Sequence, residues 1–137
     1  LGIMVFSSLN KRFAQRYGIL QRLKLGGAIQ ALGASILLLA GLVAAPLALV
    51  LLGLFLTVAG IGFTGPNAMA LAMSEQGRRA GTASALMGSM QFGAGLLGGV
   101  LLNFLIWSPL MNMAIMMLVF IATANWSMRH IQLTQAA

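Results

Sequence analysis

The chain has 137 residues, of which 60% are apolar and only 7% charged. Soluble domains carry about 25% charged residues, so a soluble globular enzyme is excluded at the outset. Eight Lys or Arg stand against a single acid, Glu75, and their placement decides whether the excess points to nucleic acid or to a membrane.

The charges fall at Lys11, Arg12, Arg16, Arg22 and Lys24, then at Glu75, Arg78 and Arg79, then at Arg129. Between Lys24 and Glu75 lie fifty uncharged residues, and between Arg79 and Arg129 forty-nine more. A membrane-spanning helix needs ~20 apolar residues, so each run has the length of two spans and a tight turn. Nucleic-acid binding requires basic residues over one folded face. Here they punctuate apolar runs, and nucleic acid is set aside as a partner. There is no cysteine, hence no disulfide and no thiolate metal site.

In chain order, residues 1–9 read as the end of a transmembrane helix, and the start inside an apolar segment without Met reads as a piece of something longer. Residues 10–24 form a basic loop. The first full span covers 25–45, with Pro46 placed as the first residue of the next helix. The second covers 47–73. A polar turn at 74–79 follows, with Gly77 as a C-terminal stop. The third span covers 80–106. Ser108 and Pro109 are a cap and first-turn pair for the fourth, which covers 110–127. The tail, 128–137, is polar, expected to fray, and contains the lone His130. The expected fold is therefore all-α, a polytopic bundle of four spans plus the end of a fifth.

All eight basic residues fall on alternate connectors, so they share one side if the spans alternate. The positive-inside rule makes that side, and the C-terminus, cytoplasmic. Trp107 and Trp126 then sit near opposite membrane faces, as interfacial aromatics do.

At 100° per residue, Gly26, Gln30, Gly33, Ala40, Gly41 and Ala44 share an arc of the first span. Gly53, Thr57, Gly60, Thr64 and Asn67 do so on the second, and Ser84, Gly88, Gln91, Gly95 and Gly98 on the third. Helix association in lipid depends on close backbone approach and interhelical hydrogen bonds, so small and polar residues face inward. Gly53, Gly60, Gly81, Gly88, Gly95 and Gly98 are the expected packing positions. A second small row on the third span, through Gly81, Ala85, Ser89 and Gly93, predicts a central place for that helix. The fourth span has no such stripe and is expected at the periphery.

The polar residues admit two readings each. Gln91, deep in the third span, is an interhelical strut or a contact for a transported molecule. Asn67 follows Pro66, which kinks the helix by removing a donor and crowding the Gly62 carbonyl. Asn67 therefore caps disturbed backbone or lines a pathway. Ser84 and Thr64 lie on the same stripes. Gln30 is read as packing. The ten Met residues are adaptable filler or a soft lining for varied ligands. Glu75, beside Arg78 and Arg79, is read as a local ion pair. The spans contain no ionisable side chain of the kind a proton relay needs. No catalytic constellation, metal site or cofactor motif is visible.

The stretch Gly65-Pro-Asn-Ala-Met-Ala-Leu-Ala-Met73, with Gly77-Arg-Arg-Ala-Gly-Thr-Ala-Ser-Ala-Leu-Met-Gly-Ser-Met-Gln91, resembles the tenth-to-eleventh helix region of major facilitator drug–proton antiporters, the Bcr/CflA-like group most of all. The connector Asn10-Lys-Arg-Phe-Ala-Gln-Arg-Tyr-Gly18, which contains the cytoplasmic-loop residues Arg12, Arg16 and Gly18, resembles the loop between helices eight and nine, a weakened second copy of a basic cytoplasmic signature. The acid usual in the first copy is Asn10 here or absent. The resemblance covers nearly the whole chain. It implies that the spans are helices nine to twelve, with ten and eleven flanking a central cavity and nine and twelve outside. It also implies a bacterial inner-membrane protein in which an N-terminal half, absent here, holds the proton-coupling acid.

The expected function is then export of small, amphipathic, drug-like molecules in exchange for protons, in partnership with the bilayer and that N-terminal half, and with no activity from this part alone. A complete four-span small multidrug transporter acting as a dimer is a competing reading, but it needs its own membrane-embedded carboxylate. A non-transporting membrane subunit is the third.

Overall fold

The computed structural model describes residues 2–43, 45–74 and 76–135. Among them every regular element is helical: α1 (Gly2–Phe13), α2 (Ile19–Leu42), α3 (Leu47–Met73), a 3-10 turn (Gly77–Arg79), α4 (Ala80–Leu102) and α5 (Pro109–Gln135). Four of these are long and apolar enough to cross a bilayer, namely α2, α3, α4 and the Pro109–Met128 part of α5. The chain is a multi-pass membrane protein by that measure.

The elements begin and end for local reasons. Gly18 adopts an extended N-cap conformation before α2, and its N–H donates to Gln21 Oε1 at 3.3 Å, satisfying a first-turn donor. At the start of α5, Met111 N–H donates to Ser108 Oγ at 3.3 Å, and Pro109 takes the first helical position, where its missing donor costs nothing. Gly77 carries a positive φ of 36°, which lets the chain reverse between α3 and α4.

Several boundaries differ from the sequence reading. The basic loop is shorter than 10–24: α1 runs on to Phe13 and α2 starts at Ile19. Charge ends an apolar run without ending a helix, because Lys and Arg are good helix formers. Pro46 is the N-cap of α3 rather than its first residue. The third span stops at Leu102, where Asn103 Nδ2 donates to the Gly99 carbonyl at 3.1 Å. Helix α5 continues to Gln135, where a frayed tail was expected.

Helix α2 is the hub, packed against α3 on one side and α5 on the other, and α1 lies on the far side of α3. The α2–α3 contact is antiparallel and built on glycine. A Cβ on Gly33 would lie 2.6 Å from Thr57 N and 2.7 Å from Gly53 O, and one on Gly26 would lie 2.8 Å from Thr64 Cγ2. The two glycines stand seven residues, or about two turns, apart, so both meet α3. One position round the helix, Gly27 meets Asn125 and Gly41 meets Met111. Small residues on two faces are what allow α2 to take a neighbour on each side.

The α1–α3 contact is aromatic, with Phe6 edge-on to Phe55 and Phe63 at centroid distances of 6.5 and 6.0 Å, and Phe13 edge-on to Phe63 at 6.0 Å. Gly62 makes room for the α1 backbone, since a Cβ there would stand 2.9 Å from Ile3 O and Ser7 N. Pro66 lies inside α3, which remains one helix across it.

The relative places of the spans also differ from expectation. The first span is central rather than outside, and the fourth packs along it with Ala114 and Asn112 buried. The third span, expected at the centre, lies at the margin with no buried residue. Its small row finds no complementary surface among the described helices, because α2 has already engaged both α3 and α5.

Candidate functional site

At the basic end of the bundle, α2, α3 and α5, with Met87 of α4, line a half-open cavity of about 690 Å³. Its wall is mostly apolar, with Leu23, Leu71, Met87, Phe120 and Met128 contributing, and its polar groups are Gln30, Thr64, Ser74 and Asn125. Ligand pockets commonly have this size and make-up, an apolar lining with a few orienting polar groups. Every one of these polar groups is uncharged, so the cavity can orient a ligand by hydrogen bonds but has no ion of its own to pair.

The helices set what each group can offer. Thr64 Oγ1 donates to the Gly60 carbonyl at 3.3 Å, back-bonding along its own helix, which leaves the hydroxyl oxygen as an acceptor. Thr57 does the same to Gly53 at 2.8 Å but is buried in the α2–α3 seam. Ser74 Oγ donates to the Leu71 carbonyl at 2.7 Å at the cavity mouth. Gln30 reaches the cavity with its stem against Gly60. It joins packing and lining, where the sequence suggested packing alone.

Of the four residues singled out for a substrate pathway, Thr64 alone lines this cavity. Asn67 is 2% exposed and turned toward α1. Its Nδ2 donates to the Phe63 carbonyl at 2.6 Å and to Asn10 Oδ1 at 2.9 Å. It back-bonds the Phe63 carbonyl in its own helix, one residue beyond the Gly62 carbonyl that Pro66 leaves without its donor, and also pins α1 to α3. Ser84 and Gln91 are exposed on α4, and neither lines the cavity.

Of the six packing glycines, Gly53 and Gly60 sit in the α2–α3 seam, and a Cβ on Gly98 would stand 3.2 Å from Phe120. Gly81, Gly88 and Gly95 have nothing within 4 Å of an added Cβ. The physical reason is the marginal place of α4. Arg12, Arg16, Gly18 and Arg79 are exposed at the basic end. Glu75 and the side chain of Arg78 lie outside the described residues.

Sequence reasoning missed Asn10 and Asn125. Asn10 was read as part of a loop, yet Phe6, Asn10 and Phe13 follow one another at helical spacing, the signal that α1 continues. Asn125 sits opposite Gly27, a pairing that only the α2–α5 register reveals. Among the described residues, no three His, Cys, Asp or Glu side chains come together in a group able to hold a metal ion.

Comparison with known proteins yields no matching family model, no matching curated sequence and no matching solved structure.

Proposed function

We propose that the chain forms part of a secondary active transporter of the major facilitator drug–proton antiporter kind, in a bacterial inner membrane with its basic end cytoplasmic. The observation that carries this reading is the cavity lined by α2, α3 and α5 with Met87 of α4. It is large enough for a small amphipathic molecule, apolar over most of its wall, and furnished with neutral hydrogen-bonding groups. Such a wall tolerates varied shapes and would hold a cargo without trapping it by charge.

Two further features support the reading. The basic residues gather in and beside alternate connectors, at one end of the spans, which supports a cytoplasmic placement of that end. Helix α4 carries glycine, serine and glutamine along its length yet buries nothing, as expected of a helix whose partner is a second half-transporter. Alternating access by rocking of two halves requires that partner, and the four spans here hold no Asp, Glu or His side chain for proton coupling.

The test is dye transport in proteoliposomes under an imposed proton gradient. The chain alone is expected to leave the dye at equilibrium, and the chain with a complementary N-terminal half to drive it uphill. Uphill, proton-driven movement by the chain alone would overturn the reading.

A further inference from the structure

Helices α1 and α2 meet at an elbow that gathers Lys11, Arg12, Arg16, Arg22 and Lys24. The whole chain has one acidic side chain, Glu75, so these five cations outnumber its side-chain carboxylates five to one. Four of them, Lys11, Arg12, Arg16 and Lys24, are exposed to solvent. Arg22 is different, because it is partly buried. Its Nη1 donates to Asn10 Oδ1 at 3.4 Å, an oxygen that already accepts from Asn67 at 2.9 Å. Its Nε is buried with no hydrogen-bond partner. A guanidinium has five donors in a planar fork, and one shared amide oxygen leaves its charge uncompensated where the dielectric is falling.

Beside Arg22 is an open hollow of about 390 Å³ walled by Phe13, Tyr17, Gln21, Arg22 and Leu25. The rings of Phe13 and Tyr17 stack at 5.4 Å along one side. The apolar span of α2 begins at the same level, so a bilayer places this hollow at the depth of its headgroups.

We infer that the hollow binds the headgroup phosphate of an anionic phospholipid, with Arg22 as counter-ion and Phe13, Tyr17 and Leu25 against the glycerol and upper acyl chain. Basic pockets between spans on the cytoplasmic side have the chemistry for such headgroups. A lipid fits better than a free phosphate because three of the five wall residues are apolar or aromatic. The site is separate from the transport cavity and stands whether or not that reading holds.

The test uses the full chain in nanodiscs of phosphatidylcholine with or without phosphatidylglycerol, reading thermal unfolding and, by native mass spectrometry, retained lipid. Phosphatidylglycerol is expected to raise the unfolding midpoint and to be retained in preference. Arg22→Gln removes the counter-ion but also touches the Asn10–Asn67 contact, so a second variant is needed. Gln21→Glu puts a carboxylate in the hollow, suits the first turn of α2, and lowers net charge by one. Lys24→Gln lowers it equally outside the hollow.

With helicity intact by circular dichroism, Gln21→Glu is expected to reduce phosphatidylglycerol retention about fivefold, the equivalent of ~1 kcal/mol per basic side chain at an anionic surface. Lys24→Gln is expected to leave most of it. Equal losses in the two variants would mean diffuse attraction and overturn the site. No preference for phosphatidylglycerol, or the same stabilisation by soluble glycerol phosphate, would overturn it too.

Discussion

A buried amide in a membrane helix must spend its donors and acceptor on protein, because lipid offers none. Asn67 spends its amide on two carbonyl oxygens, one in its own helix and one on α1. This makes it a positioning residue for α1 rather than a wall of the cavity. Asn67→Ala and Asn10→Ala should each lower the unfolding midpoint of the chain. Their effects should be non-additive, with a coupling of about 0.5–1.5 kcal/mol, the range of interhelical hydrogen bonds in membranes. Additive losses in that double-mutant cycle would show that the 2.9 Å hydrogen bond between them contributes nothing. Asn112 is a contrasting case at the other end of the bundle. Its Nδ2 donates to the Leu105 carbonyl at 3.0 Å, which holds the 103–108 connector against α5, while its Oδ1 is buried without a partner.

At the scale of the helix, close approach is decided by which glycines face a backbone. Gly33→Leu would set a side chain against Thr57 N and Gly53 O, atoms that cannot rotate away, so α2 and α3 must separate. A loss of about 2–3 kcal/mol is expected, the upper range for overpacking a seated core. Gly88→Leu and Gly95→Leu meet open space and should change the stability of this chain by less than about 0.5 kcal/mol. Thermal unfolding of the three variants in one detergent checks the order. The contrast also shows what was legible in the sequence. Charge-free runs of span length revealed four crossings, because hydrocarbon thickness sets helix length independently of neighbours. The small stripe on α2 and α3 pointed correctly to a seam at Gly33, Gly53 and Gly60. The stripe on α4 is just as clean on the wheel, yet the described helices leave it open. A wheel reports which face can approach a neighbour and says nothing of which neighbour is present. For the same reason the cavity was only partly legible: Thr64 lay on a stripe, whereas Asn125 enters the wall through the α2–α5 register, which no single helix encodes.

For the molecule as a whole, α4 is where the structure and the proposed function meet. Within this chain Gln91 is exposed, so Gln91→Ala should leave the unfolding midpoint of the isolated chain unchanged, within the ~0.5 kcal/mol expected of surface substitutions. In a complete transporter the same face would lie against the second half, and the uncharged amide would either brace two helices or bind cargo. The two roles differ in what they couple to. If the amide braces helices, its removal lowers the amount of folded protein, and every cargo suffers in proportion. If it binds cargo, its removal changes the affinity for each cargo according to whether that molecule offers the amide a donor or acceptor, with protein abundance unchanged. Efflux of several chemically distinct drugs by the complete transporter, measured at matched protein level, separates them. Cargo contact would give a drug-dependent pattern, strongest for cargoes rich in hydrogen-bonding groups and weakest for cargoes without them, because an apolar wall discriminates little between shapes and leaves orientation to the few polar groups. A uniform loss that tracked abundance would assign Gln91 to packing and leave Thr64, Gln30 and Asn125 as the groups that orient cargo.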